Sequence, residues 1–144
     1  MRVSGQWYEC DDGIVRPIVR GEIFNANGRW EPTIFLVDTG ADCTVFSAAT
    51  LDVLGFEAAT TGKRLGGIGG VAEIVEVATR IRLPQDDGGI AVFRGHYAAV
   101  TEMEALDISV LGRDIMQMFA VIVDRPGDVV SLVREHHRYV IETQ

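Results

Sequence analysis

The chain is poor in cysteine: Cys10 and Cys43 are the only two in 144 residues, and neither lies in a Cys-x-x-Cys pair. A disulfide framework and a thiolate metal knuckle are therefore both excluded. Histidine is scarce as well, with His96, His136 and His137 the only three. Neighbouring residues on a strand point apart, so the adjacent pair makes a poor chelate and no metal is expected. Cations are outnumbered, 13 Lys and Arg against 21 Asp and Glu, which gives a formal net charge of −8. Nucleic-acid binding needs a basic face, so no nucleic-acid partner is expected. No apolar run approaches the ~18 residues of a membrane-crossing helix. The opening Met1-Arg2-Val3-Ser4-Gly5-Gln6-Trp7 has no apolar stretch of the secretory kind. A reducing cytoplasm is the expected compartment, although a fragment of a larger or membrane-anchored protein would read the same way.

What the chain does have is the punctuation of a mainly β domain. Apolar residues make up 47% of it and glycine occupies 16 positions, a composition that supports a packed core and argues against disorder. A single domain is expected over residues 1–144, with its core at about 15–123 and extensions at both ends. Residues 14–24 are β-rich, and Pro17 marks an edge or a strand start. Asn27-Gly28 reads as a two-residue hairpin turn, followed by the continuous apolar strand 32–37. Ser47 is placed to cap a short helix that Gly55 ends. Residues 60–70 form a glycine-rich hairpin tip. Beyond it Val75, Val77, Thr79, Ile81 and Leu83 alternate with Glu76, Ala78, Arg80 and Arg82, the signature of a half-buried strand. Asp87-Gly88-Gly89 turns the chain into a strand over 90–100. A second helix follows 111–113 and carries Met116 and Met118 inward. Strands 119–123 and 129–133 flank Arg125-Pro126-Gly127-Asp128, which reads as a type II turn. About eight strands and two short helices are expected.

Three motifs stand in order along this framework. Asp38-Thr39-Gly40-Ala41-Asp42 follows the apolar strand, Lys63-Arg64-Leu65-Gly66-Gly67-Ile68-Gly69-Gly70 forms the hairpin tip, and Leu111-Gly112-Arg113-Asp114 opens the second helix. A lone aspartate at a strand end is usually a turn former; its company sets Asp38 apart. Together the motifs resemble the retropepsin-like (retroviral-type) aspartic proteases over residues 15–123. Two features depart from the family pattern. The chain is longer at both ends and around 84–96, and position 114 is Asp where retroviral members usually have Asn.

The resemblance implies an all-β, closed-barrel half of the acid-protease fold and an aspartic endopeptidase with no cofactor. Peptide hydrolysis in this family uses two carboxylates about 3 Å apart that share one proton. One acts as base on a water while the other, protonated, polarises the scissile carbonyl. Asp-Thr-Gly occurs once in this chain, so the second carboxylate must come from another copy, and the implied enzyme is a homodimer with a peptide or protein substrate. The rate of such a shared-proton pair falls on both sides of an optimum. The family pattern assigns catalysis to Asp38, interlocked hydrogen bonds beneath the dyad to Thr39, and substrate-backbone contacts to Gly40 and Asp42. Asp42 is also the implied ion-pair partner of Arg113, partly buried beside the interface. Gly66, Gly67, Ile68 and Gly69 are implied to form the flap over the substrate, with Leu36, Ala41 and Val45 as candidate subsite walls. The alternative is a retropepsin-like dimerisation or peptide-binding module that does not cleave.

Other patterns carry less. Gly67-Ile68-Gly69-Gly70-Val71-Ala72 fits a dinucleotide fingerprint formally, but the period-two strand that follows denies it the helix it needs. Gly62-Lys63 lacks the flanking residues of a phosphate loop. Cys43 has no base beside it and reads as a small buried side chain.

Overall fold

In the computed structural model, residues 1–56, 59–67, 70–135 and 142–143 are described. They form eleven strands and two short helices. In chain order these are β1 (Arg2–Ser4), β2 (Gln6–Glu9), β3 (Val15–Phe24), β4 (Trp30–Val37), β5 (Val45–Phe46), α1 (Ala48–Leu54), β6 (Ala59–Gly67), β7 (Gly70–Pro84), β8 (Ile90–Val100), β9 (Ser109–Leu111), α2 (Arg113–Met116), β10 (Ala120–Asp124) and β11 (Val129–Val133). The all-β expectation with two short helices holds.

Eight strands lie in the order β2-β3-β4-β9-β5-β8-β7-β6, and β3 also pairs with β7. That extra pairing, Glu22↔Arg82 and Ile23↔Ile81, joins β3-β4-β9-β5-β8-β7 into a closed ring. The fold is thus a barrel from which β2 and β6 extend. Closure is driven by the alternation read in β7. Val75, Val77, Ile81 and Leu83 are all buried, and they meet Val19, Ile23, Phe35, Phe46 and Leu111 in one core. Burying each of these side chains contributes about 1.5–3 kcal/mol. Gly21 sits at the seam. A Cβ there would lie 2.7 Å from Leu83 Cδ2 and 2.8 Å from the Arg82 carbonyl oxygen, so only glycine lets β3 approach β7 this closely.

A separate three-stranded sheet, β1-β11-β10, ties the two ends of the barrel domain together. Val3 pairs with Leu132 and both are buried. Four strands went unread in the sequence: β1, β2, β5 and β9. Each has four residues or fewer, too short for alternation to register, and β1, β5 and β9 are held by partners remote in sequence.

Several local expectations are corrected. The first hairpin is not a two-residue Asn27-Gly28 turn. The Asn25 N–H donates to the Arg29 carbonyl at 2.7 Å and only Gly28 takes positive φ, at 79°, so three residues close the turn. The buried Asn25 amide makes the difference by accepting from the Asn27 and Arg29 N–H groups. The second turn is not type II. Gly127 does not take positive φ and Asp128 does, at 54°, while Asp124 Oδ1 accepts from the Gly127 N–H at 2.9 Å. The Asp124 carboxylate, not the Pro-Gly pair, shapes that turn. Met116 is buried as expected, but α2 ends there and Met118 is 40% exposed. The helix capped by Ser47 is found over Ala48–Leu54, with Gly55 left-handed at its end.

Gly21→Ala is expected to cost about 1–3 kcal/mol through overpacking at the seam, measured as the shift in urea unfolding. An unchanged midpoint would show that β3 and β7 have room to separate.

Candidate functional site: the Asp38 loop

The parallel pairing of β4 with β9, Leu36↔Val110 and Val37↔Leu111, carries the chain straight to Asp38. The Asp38 N–H extends this ladder by donating to the Leu111 carbonyl at 3.3 Å. The chain then turns sharply. Asp38 Oδ1 accepts from the Gly40 N–H at 2.9 Å, and the Asp38 carbonyl accepts from the Ala41 N–H at 3.2 Å. This Asx turn holds the half-buried carboxylate at the mouth of its own loop. A Cβ at residue 40 would sit 3.2 Å from Asp38 Oδ1, so glycine leaves that oxygen open to an incoming group. Thr39 and Gly40 are exposed, and Ala41 is half-buried.

The far side of the loop is clamped to α2. The Arg113 N–H donates to the Ala41 carbonyl at 2.9 Å. The Asp114 carboxylate accepts from the Thr44 N–H at 3.0 Å and the Thr44 hydroxyl at 2.7 Å, and from the Ile115 N–H at 3.0 Å. The Thr44 hydroxyl oxygen accepts in turn from the Gly112 N–H at 3.1 Å. Gly112 lies against the backbone of Cys43, where a Cβ would come within 2.3 Å of the carbonyl carbon. Thr44 is fully buried, and sequence reasoning missed it. Its partner Asp114, whose carboxylate accepts three donors, lies 70 positions away and gives Thr44 no local signal.

Arg113 pairs with Asp42, as the motifs implied. In the single chain the two side chains are 55% and 86% exposed; the partial burial that the motifs implied is one beside a subunit interface. Val45 is also corrected as a subsite wall. It is 3% exposed and sits in the core between Ala98 and Val110, because the two-residue strand β5 is an interior strand of the barrel sheet. Leu36 does face open space, lining a cavity of about 620 Å³ with Ile34, Leu106, Val110 and Arg16. Arg16 is held there by a two-pronged pair with Asp12, at 2.9 and 2.7 Å. That hydrogen bonding holds the Asp12 carboxyl down at about 2.

Burial pushes the Cys43 thiol above its ordinary value of 9.0, and the nearby Asp114 and Asp42 carboxylates push the same way. A neutral thiol is a weak nucleophile. Of the hairpin residues singled out, Gly66 pairs with Val71 and Gly67 with Gly70 on the β6–β7 ladder. Ile68 and Gly69 lie outside the described residues, as do His136 and His137. Among the described residues, no group of three or more acidic, histidine or cysteine side chains is placed to hold a metal. Likewise, no helix there is long and apolar enough to cross a membrane.

An Asp-Thr-Gly loop closing a barrel strand, together with a long β-hairpin and a Gly-Arg-Asp helix start, defines a retropepsin-like domain. The family model described as aspartyl protease matches residues 19–115, and the chain belongs to that family. Among solved structures it is similar to the EIAV protease complexed with the inhibitor HBY-793. The identity is 26% over 71% of this chain and 86% of that one, with a TM-score of 0.52. A retropepsin-like aspartic protease from Rickettsia conorii shares the fold at TM-score 0.60 and 20% identity, over 92% of this chain and 98% of that one. No curated protein matches.

The clamp makes two expectations. Asp114→Ala strands the Thr44 donors and is expected to cost about 1–3 kcal/mol per unsatisfied buried group. Arg113→Ala removes only an exposed pair and is expected to cost the single chain under about 1 kcal/mol. Denaturant unfolding of the two variants side by side checks the contrast, and equal losses would contradict it. The raised Cys43 thiol gives a pH dependence. Between the unfolded and folded values the folded chain holds a proton that the unfolded chain releases, so this contribution is complete below about pH 9 and is lost as pH rises. Wild type is therefore expected to lose more stability than Cys43→Ala between about pH 8 and 10. Parallel slopes would show that burial does not act on the thiol.

Proposed function

We propose that the chain is an aspartic endopeptidase that works as a homodimer, with Asp38 of each copy forming the catalytic dyad. The observation that carries this reading is the Asp38 loop itself. One carboxylate is held at a loop mouth by the Gly40 N–H, two residues after Leu36, which lines an open cavity, in a chain with a single Asp-Thr-Gly. Membership of the aspartyl protease family supports the chemistry, and a lone carboxylate per chain calls for a second copy across a two-fold axis.

In this reading the ionised Asp38 takes a proton from a water held between the two carboxyl groups. The resulting hydroxide adds to the scissile carbonyl while the protonated partner carboxyl donates to the carbonyl oxygen. The tetrahedral adduct then collapses: the C–N bond breaks, the leaving nitrogen takes up a proton, and one proton is left on the dyad. Thr39 braces the paired loops from below. The Gly40 carbonyl and the Asp42 side chain hold the substrate backbone beside Ala41, and the Asp42–Arg113 pair becomes covered at the subunit boundary. Gly66, Gly67, Ile68 and Gly69 close over the extended peptide from the other side. The Leu36 cavity receives a substrate side chain between aliphatic walls at Ile34, Leu36, Leu106 and Val110 and a charged rim at Asp11, Asp12, Arg16 and Asp107.

The test is peptide-library cleavage by wild type and Asp38→Asn. The amide keeps the shape of the carboxylate and cannot act as a base, so turnover is expected to vanish while fold and association persist. Activity per chain is expected to fall on dilution, tracking the dimer population by ultracentrifugation. Cleavage retained by Asp38→Asn would remove the assignment. A folded dimer that binds peptides and cleaves none would favour the non-catalytic module.

A further inference from the structure

A second cavity, of about 630 Å³, opens on the outer face of the barrel and shares no residue with the Asp38 loop or α2. Its walls include Phe24, Phe56, Arg80, Arg94 and His96. Arg80 and Arg94 stand directly opposite each other on β7 and β8. Like charges in directly opposed positions oppose strand pairing, and this chain has an excess of acidic residues with which to avoid the arrangement. Among the described residues the nearby carboxylates are committed elsewhere. Glu22 pairs with Arg82, Glu76 with His96 at 3.0 Å, and Glu31 accepts from the Asn25 amide at 2.9 Å. Among the described residues no ion pair joins Arg80 or Arg94 to an acidic group. Arg80 instead lies over the Phe24 ring, 4.0 Å from its centroid, and 5.4 Å from that of Trp30, which fixes one guanidinium against an aromatic floor.

The neutral polar groups of the cavity are also spent. The Asn25 side chain, 5% exposed, accepts from two backbone N–H groups and donates to Glu31. The Thr79 hydroxyl donates to the Phe24 carbonyl at 2.6 Å. What this lining still offers is cationic donors above aromatic carbon. A complementary ligand brings oxygen acceptors and negative charge at one end and a flat apolar body at the other. A phosphate monoester fits best: it carries about −1.5 to −2 charges near neutrality, enough for two guanidinia, and its oxygens match their paired N–H donors.

We infer that the Arg80–Arg94 cavity is a binding site for a phosphate monoester carried on an aromatic group, distinct from the proteolytic site. Phenyl phosphate is the probe, titrated into the 15N-labelled protein and followed by amide shifts. Saturable shifts confined to residues 24–26, 78–80 and 94–96 are expected, with phenol producing none. Arg94 is exposed, so Arg94→Gln should fold normally and is expected to weaken binding about tenfold, with partial recovery in Arg94→Lys. Asp38→Asn is expected to bind phenyl phosphate as wild type does, which separates this site from the fate of the protease reading. Shifts scattered over the surface, or undiminished binding by Arg94→Gln, would overturn the site. Inorganic phosphate binding as tightly as phenyl phosphate would overturn the aromatic half of the assignment.

Discussion

The Asp114 carboxylate governs the loop that carries Asp38. It accepts the Thr44 N–H and hydroxyl and the Ile115 N–H, while Thr44 passes the link on to Gly112. A partly satisfied network at such a buried position is worse than none; here each polar side-chain partner is accounted for, and no buried side-chain nitrogen or oxygen lacks a partner among the described residues. Gly112 has no side chain, so the two segments touch through backbone. The Asp38 turn is closed by the Asx hydrogen bond from the Gly40 N–H, the Ala41 N–H to Asp38 carbonyl bond and the end of the β4–β9 ladder. The same charge reaches further. It helps hold the Cys43 thiol neutral, and it adds to the burial that pushes the Tyr97 hydroxyl up to about 12.

The barrel divides its surface between two kinds of polar construction. At the end of β4, carboxylates are gathered and held by backbone donors and one arginine. On the outer face of β3, β7 and β8, arginines lie over Phe24 and Trp30, with Arg82 4.3 Å from the Trp30 centroid. Guanidinium stacking lets a net-acidic protein cover aromatic surface without extending its core. The two regions use opposite charge and share no residue.

Legibility in the sequence followed the range of the interactions. The alternation of Val75, Val77, Ile81 and Leu83, the Ser47 cap and the Gly55 stop are all settled within a few residues, and each was readable. Asp38, Asp42 and Arg113 were readable for another reason: their motifs are short and ordered, and the Asp42–Arg113 pair exists. The turns at Asn25 and Asp124 were misread because a side chain, not the Gly-containing dipeptide, sets the hydrogen bonding. Val45 was misplaced because its strand has meaning only once β8 and β9 flank it. Thr44 was missed because nothing near it in sequence announces a partner 70 positions away.

The closure of the barrel rests on a narrow seam. β7 pairs with β8 along its length from Ile74 to Pro84, and β3 pairs with β4 from Ile18 to Phe24, yet β3 meets β7 at only the Glu22 and Ile23 positions. This is one of the short joints of the ring, with β5 meeting β8 at two positions and β9 at one. Ile23, Ile81 and Leu83 are all fully buried behind it, so parting β3 from β7 would expose them together. The barrel is thus mechanically a rolled sheet with a clasp, and the Arg82–Glu22 pair on its outer side is that clasp.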